Sequence, residues 1–254
     1  MKIMSFNIKN DTIFTAKKGR WPHRFQAINA IIKDNDPDII GLQEITDQML
    51  KDIDLAQYAW VGANRNKQFN LANEKNIILY KKAKFKAIDQ ETYWLSKKPE
   101  VQGSRVFASI YPRICTYVAL EDDQHNIYHI YNTHLDHLLN IVRGKQVQHL
   151  CHLIQRNDAT HTILMGDFNT DINTKPLQMI MQKLGFKHCY CKFQKLKHTH
   201  LNILNKFKRI ALPIDYIFIS SDMDFTNTKI GNNHINNVYA SDHFPIICKI
   251  KDVA

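Results

Sequence analysis

The segment Ile163-Leu164-Met165-Gly166-Asp167-Phe168-Asn169 decides how this chain is read. Its apolar start suits a strand covered on both faces. The run then stops at Gly-Asp-x-Asn, where an Asp or Asn after a strand is most often a turn residue that satisfies its own backbone. Other apolar runs end in a similar way. Residues 2–6 are followed by Asn7, and residues 38–42 lead to Gln43-Glu44. Residues 127–131 run into Asn132-Thr133-His134-Leu135-Asp136-His137. Asp215 stands just before Tyr216-Ile217-Phe218, and Ser241-Asp242-His243-Phe244-Pro245 precedes residues 246–250. Singly, each polar residue has a turn or packing explanation. As a set, acids, amides and imidazoles at strand ends can converge at one edge of a sheet. Glu44, Asp167, Asp215 and Asp242 offer hard oxygen ligands for Mg²⁺ or Mn²⁺. Without a cation such a cluster is unfavourable, because like carboxylates raise one another's pKa.

Outward from these runs, strand-length apolar stretches also occur at 76–80 and 114–120. Helical spacing appears between some of them. Phe25, Ile28, Ile31 and Ile32 form a stripe introduced by Pro22 and closed before Pro37. Val147, Leu150, Cys151 and Ile154 form a second, and Leu177, Ile180, Met181 and Leu184 a third, with Gly185 as a helix stop. Strands and helices alternate loosely, with hairpin-like neighbours at 114–131. That pattern predicts an α/β (α+β) fold of mixed sheets with covering helices, not a regular parallel barrel.

The 254 residues, 44% hydrophobic and 23% charged, exclude a disordered polymer. No run approaches the roughly 18 consecutive apolar residues of a membrane span. No repeat or linker divides the chain, so residues 1–254 read as one domain. The N-terminal residues turn polar too early for a secretory leader, which predicts a cytoplasmic protein. Five cysteines, unevenly spaced, fit reduced and mostly buried thiols better than a zinc site at Cys189-x-Cys191.

The formal charge is +10. Between Asp171 and Asp215 there is no carboxylate, but Lys175, Lys183, Lys187, Lys192, Lys195, Lys197, Lys206, Lys208 and Arg209 occur there. Phe186, Tyr190, Phe193 and Phe207 interleave with them. One reading is a cleft wall that guides a polyanion and stacks bases. The other is a solvated cationic loop whose aromatics turn into the core.

The ordered set Asn7, Gln43-Glu44, Asn132-Thr133-His134-Leu135, Gly166-Asp167-Phe168-Asn169, Ile214-Asp215-Tyr216 and Ser241-Asp242-His243-x-Pro245 resembles the endonuclease/exonuclease/phosphatase superfamily, with its DNase I-like fold. The resemblance implies a four-layer sandwich, two mixed β-sheets packed face to face with helices outside and the site at one end. It implies that Glu44 is the principal ligand of Mg²⁺ or Mn²⁺, with Asn7 beside it and Asp242 in the metal shell or on the leaving-group side. Asp167 would orient and deprotonate the attacking water, and Asn169 would hold that water or a phosphate oxygen. His243 would bond a nonbridging oxygen, oriented by Asp215, and His134 would stabilise the pentacovalent phosphorus. Arg113, in Tyr111-Pro112-Arg113, is similar to a Pro-Arg segment of bacterial members and could clamp phosphate. Asp136, two residues after His134, would share its face on a strand and is a second substrate-binding candidate. Arg143 and Gln146 read as helix surface. Many bacterial relatives carry an aromatic-Asp pair before the Pro-Arg; here that stretch is Phe107-Ala108, without the acid.

Two function classes follow. The first is a metal-dependent hydrolase of a phosphodiester, with DNA or RNA among the substrates. Its variant acts on a small nucleotide, lipid-headgroup or sugar phosphoester. The second is a catalytically idle nucleic-acid-binding module, which would have lost chemical residues; none of the set is missing. A monomer without a protein partner is expected.

Overall fold

A computed structural model describes residues 1–11, 15, 17–67, 73–157, 159–191, 197–201 and 212–251, and in it all eight apolar runs become interior strands. In chain order the elements are β1 (Lys2–Asn7), α1 (Phe25–Asn35), β2 (Ile39–Ile45), α2 (Asp47–Leu50), β3 (Tyr58–Val61), β4 (Lys75–Lys81), β5 (Lys86–Trp94), β6 (Ile114–Glu121) and β7 (Ile127–His134). They continue with α3 (Asn140–Asn157), β8 (Thr162–Asp167), α4 (Lys175–Leu184), β9 (Lys187–His188), β10 (Asp215–Ile219), β11 (Phe225–Ile230), β12 (His234–Ile235), β13 (Val238–Tyr239) and β14 (Ile246–Ile250).

Two six-stranded mixed sheets result, ordered β11-β14-β1-β2-β4-β3 and β5-β6-β7-β8-β10-β9. Each has one parallel pair at its centre, β1 with β2 and β7 with β8, flanked by antiparallel neighbours. A parallel pair needs a crossover, and α1 and α3 supply it. The helices form where the apolar stripes lie. Ala27, Ile28, Ile31 and Ile32 are the buried face of α1, which stops at Asp36 in the left-handed region, φ 44°. Helix α4 begins with Pro176 in its first turn and ends at Gly185, φ 68°.

Alternation along β1 shows the layering. Ile3 joins the core between the sheets with Ile39, Val118, Ile130, Ile163 and Ile246. Met4 and Phe6 pack instead with Ile28, Ile31 and Leu42, beneath α1. Truncating a fully buried side chain such as Ile28 to Ala should cost about 2–5 kcal/mol. Val147, Leu150, Leu177 and Ile180 bring α3 and α4 to the second sheet, which completes a four-layer α/β sandwich.

Polar pairs also join the sheets. Gln43 Nε2 donates to Asn132 Oδ1 at 2.7 Å, and Asn132 Nδ2 donates to the carbonyls of Leu42 and Ile77. The strands that the apolar pattern did not mark include the edge strands β3, β5 and β11. Strand β5 is mostly exposed until its last three residues, and edge strands that carry charge resist pairing with other chains.

Candidate active site

The site grows from the ends of β1, β2, β7, β8 and β10 and the loop before β14. Strand β8 ends in Gly166-Asp167, and a Cβ at Gly166 would meet the Thr133 carbonyl oxygen at 1.9 Å, with φ 149°. Only glycine allows this approach, which sets Asp167 opposite His134 in the parallel register. Strand β2 slips its register against β4 between Leu42 and Ile45, and Glu44 within that slip has φ 64°. A bulge of this kind re-aims one side chain. Here it brings Glu44 to Asn7.

Asn7 is the junction. Its Nδ2 donates to Glu44 Oε1 at 2.9 Å and to Asp167 Oδ2 at 3.0 Å. The second Glu44 oxygen accepts from the Asn10 backbone N–H at 2.8 Å. Arg24, fully buried, holds the chain around Asn10 by donating to the carbonyls of Ile8, Lys9 and Ala240.

Asp167 is 1% exposed and meets two imidazoles through one oxygen. His134 Nε2 lies 3.5 Å and His243 Nε2 3.6 Å from Oδ2. Its other oxygen accepts from the Asn169 N–H at 2.9 Å, with Asn169 in the left-handed region, φ 51°. Burial pushes the Asp167 carboxyl up to about 7; His243 pulls against this and Asp215 adds to it. Behind His243, Asp215 accepts from Nδ1 at 2.9 Å and takes a further bond from Thr199 Oγ1 at 2.6 Å. Burial disfavours the charge on His243, but Asp215 and Asp167 outweigh it and raise the ring to about 10. His134 goes the other way. Burial, then Arg113 and Arg65, hold it well below the usual range, and its Nδ1 has no hydrogen-bond partner among the described residues.

Asp242 stands apart from the Asn7–Glu44 contact. Lys9 Nζ bonds it at 2.9 Å and His200 Nε2 lies 3.9 Å away. Burial opposes its charge, but His243 and Lys9 keep it ionised below the usual carboxylate range. Among the described residues, two sets of donor atoms could hold a metal ion: His200, Asp242 and His243, and Asp167, Asp215 and His243. Glu44 belongs to neither set, although it has no ion pair among the described residues and its carboxylate lies next to Asn7 and Asp167. The hard oxygens of Asn7, Glu44 and Asp242 fit Mg²⁺ or Mn²⁺ by donor chemistry.

Arg113 is 5% exposed, with Nη2 3.1 Å from His137 Nδ1 and Nε unpartnered among the described residues. Burial and then the neighbouring Arg65 lower its pKa, while Glu74, Glu44 and Asp167 support its charge. Arg65 pairs with Glu74 and lies over the Tyr111 ring.

Two local readings are corrected. Strand β7 ends at His134, so Asp136 lies beyond it and strand alternation does not place the two on one face. Its carboxylate accepts from the N–H groups of Leu138 and Leu139 and from Ser109 Oγ. Arg143 and Gln146 are buried, not helix surface, because the strand end leaves Asp136 backbone groups to satisfy. Gln146 Oε1 accepts from the Asp136 N–H, and Arg143 Nη1 donates to its carbonyl.

The basic stretch divides. Lys192, Phe193, Lys195, Lys206, Phe207, Lys208 and Arg209 lie outside the described residues. Phe186 and Tyr190 are core side chains, so neither is a stacking platform. Thr199 and His200 from this stretch do reach the site, bonding Asp215 and packing a ring 4.6 Å from that of His243. The sequence pattern passed over Thr199, His200, Lys9, Arg65, Glu74 and His137. His137 alone sat inside a marked strand-end segment.

The description Endonuclease/Exonuclease/phosphatase family matches residues 4–243, and the chain belongs to that family. Its class of chemistry is the hydrolysis of phosphate esters. Among solved structures, a family protein from Bacteroides thetaiotaomicron is 24% identical, with TM-score 0.86, over 98% of this chain and 97% of that one. A mannosyl-6-phosphatase from the same organism is 22% identical, with TM-score 0.85, over 99% and 100%. A conserved protein of unknown function from Enterococcus faecalis is 25% identical, with TM-score 0.85, over 99% of each chain. No curated protein matches the sequence.

Proposed function

We propose that this enzyme hydrolyses a phosphodiester by in-line attack of water, with Asp167 as the base. The observation that carries the reading is Asp167 itself: a buried carboxylate, raised to about 7, shared by Asn7, His134 and His243 from both sheets. A base with a pKa near the working pH is the form suited to taking a proton from water. Asp167 takes that proton as the water oxygen bonds phosphorus, the opposite P–O ester bond breaks, and the leaving oxygen takes a proton from solvent; Asn169 holds the water or a phosphate oxygen. His243, kept charged by Asp215, donates to a nonbridging oxygen. His134 donates to the oxygens of the pentacovalent phosphorus. Arg113, whose guanidinium has one hydrogen-bond partner among the described residues, binds a phosphate oxygen. Asp136 serves the substrate side through the Leu138–Leu139 turn that it caps.

Glu44 and Asn7, with Asp242, would hold Mg²⁺ or Mn²⁺, which supplies charge neutralisation at the phosphate. A small phosphoester is the second reading. Phe186 and Tyr190 face the core, which removes two of the aromatics a nucleic-acid strand would use, and one relative is a mannosyl-6-phosphatase. All five cysteines are free thiols, four of them buried, which suits the reducing cytoplasm. Among the described residues no helix is long and apolar enough to cross a membrane.

The test is turnover of an aryl phosphodiester and an aryl phosphomonoester with Mg²⁺ or Mn²⁺, followed by DNA, RNA, sugar and lipid phosphoesters side by side. Chelator-sensitive hydrolysis of a diester is expected. Hydrolysis of monoesters alone would move the assignment to the second reading. No hydrolysis of any of them with either metal would overturn both.

A further inference from the structure

Among the described residues, eleven large apolar side chains are exposed, and six of them come from two short segments. Phe107, Ile110 and Tyr111 precede Arg113, while Leu138, Leu139 and Ile141 follow His134. The segments are fastened to each other beside the site. Ser109 Oγ reaches Asp136 Oδ2 at 3.2 Å, and the Tyr111 ring stacks on His137 with centroids 6.4 Å apart. They form one apolar rim.

The rim is built rather than loose. Ser109 donates its N–H to Val106 and its hydroxyl to the Tyr111 carbonyl, and Arg105 Nη1 donates to the Ile110 carbonyl at 2.7 Å. Ala108 is held in the left-handed region, φ 69°, an uncommon conformation for a residue with a side chain. This turn holds Phe107 91% exposed. On the other segment, the Asp136 carboxylate accepts from both leucine N–H groups at 2.9 Å and fixes that turn.

Charge indicates what covers the rim. No Asp or Glu occurs from Val101 to Leu120 or from His137 to Asn157, while Arg105 and Lys145 are exposed there. An apolar surface whose two segments carry exposed cations and no exposed acid of their own matches an anionic lipid interface, which takes both the insertion and the charge. Four of the six side chains are aliphatic and have no π-face, which disfavours stacking on nucleic-acid bases. A second copy of the chain would bring like charges together around the seam.

We propose that Phe107, Ile110, Leu138, Leu139 and Ile141 dock the mouth of the site onto an anionic lipid bilayer. Headgroup phosphates would then lie against Arg113 and Asp167. The docking rests on the hydrolase reading only for what the docked site does; binding itself needs neither metal nor turnover.

The experiment floats the full chain with phosphatidylcholine vesicles, with and without phosphatidylglycerol, in chelator. The variant is Phe107→Ser with Ile141→Ser, both at exposed positions, with a thermal melt as the folding control. The chain is expected to float with the anionic vesicles and not with phosphatidylcholine alone. The variant should partition at least about tenfold less, as loss of two inserted apolar side chains requires. Arg105→Gln with Lys145→Gln should weaken partitioning several-fold in a salt-sensitive way. Hydrolysis of a soluble aryl phosphoester should stay unchanged in the first variant. Failure to float, or equal flotation of the serine variant, overturns the docking even if hydrolysis is intact. So does a rim that proves to carry dimerisation or single-stranded DNA binding instead, seen by sedimentation or a gel shift. Flotation without any hydrolysis would leave docking standing and reject the hydrolase reading.

Discussion

His243 and His134 approach the same oxygen of Asp167, at 3.6 and 3.5 Å, from the loop before β14 and from the end of β7, yet their pKa values move in opposite directions. His243 has Asp215 bonded behind its far nitrogen, and its pKa rises to about 10. His134 has no hydrogen-bond partner behind its Nδ1 among the described residues and lies near Arg113 and Arg65, which with burial drive it down. Burial is common to both rings; the residue standing behind each ring decides the outcome. Asp167 thus sits between one cation and one neutral donor, which lets it ionise near neutral pH although it is buried.

The largest expected effect comes from removing the shared carboxylate. Asp167→Asn should keep the fold and lose turnover by about 10²–10⁴, measured on an aryl phosphoester. Breaking the charged side alone comes next. Asp215→Asn should drop turnover by about 10², and adding it to His243→Ala should cost little more, because groups acting in one step are not additive. Losses that multiply fully would separate Asp215 from His243. Glu44→Gln should act on metal, weakening Mg²⁺ at least about tenfold by calorimetry. Excess Mg²⁺ should restore part of its turnover but none of that lost in Asp167→Asn.

The smallest effect is on stability against pH in the metal-free protein. A ring raised from 6.5 to about 10 contributes stability that is fully present below pH 6.5 and lost as pH rises through 10. His134, lowered in the fold, contributes in the opposite sense, and its contribution is complete above pH 6.5. Urea unfolding between pH 8 and 10, above the Asp167 titration near 7, should therefore show a decline that His243→Gln reduces and His134→Gln leaves in place.

How much of this was legible in the sequence depended on burial. Strands such as β1, β8 and β14 are apolar on both faces, and their limits could be read to within a few residues. Edge strands β5 and β11 carry Lys86, Asp89, Glu91 and Lys229 with little apolar signal, so pattern alone passed over them. Residues of the candidate site were legible where a polar residue broke an apolar run, as at Asn7, Asp167 and Asp215. Arg65, Glu74 and Lys9 reach the site from irregular segments or a short strand connection, where a charged residue looks like surface. Gln146 and Arg143 were misplaced for a related reason. Helix spacing marks an apolar stripe, but the backbone groups of Asp136 that draw these two polar side chains inward are a tertiary feature.

The contrast between the two rings is tested most directly by NMR of the histidine side chains in the metal-free protein, titrated from pH 5 to 10. His243 should remain an imidazolium past pH 8 and His134 should be neutral throughout, with Asp215→Asn moving only the His243 titration down toward the ordinary range. Two rings titrating together near 6.5, or a charged His134 beside a neutral His243, would contradict the account.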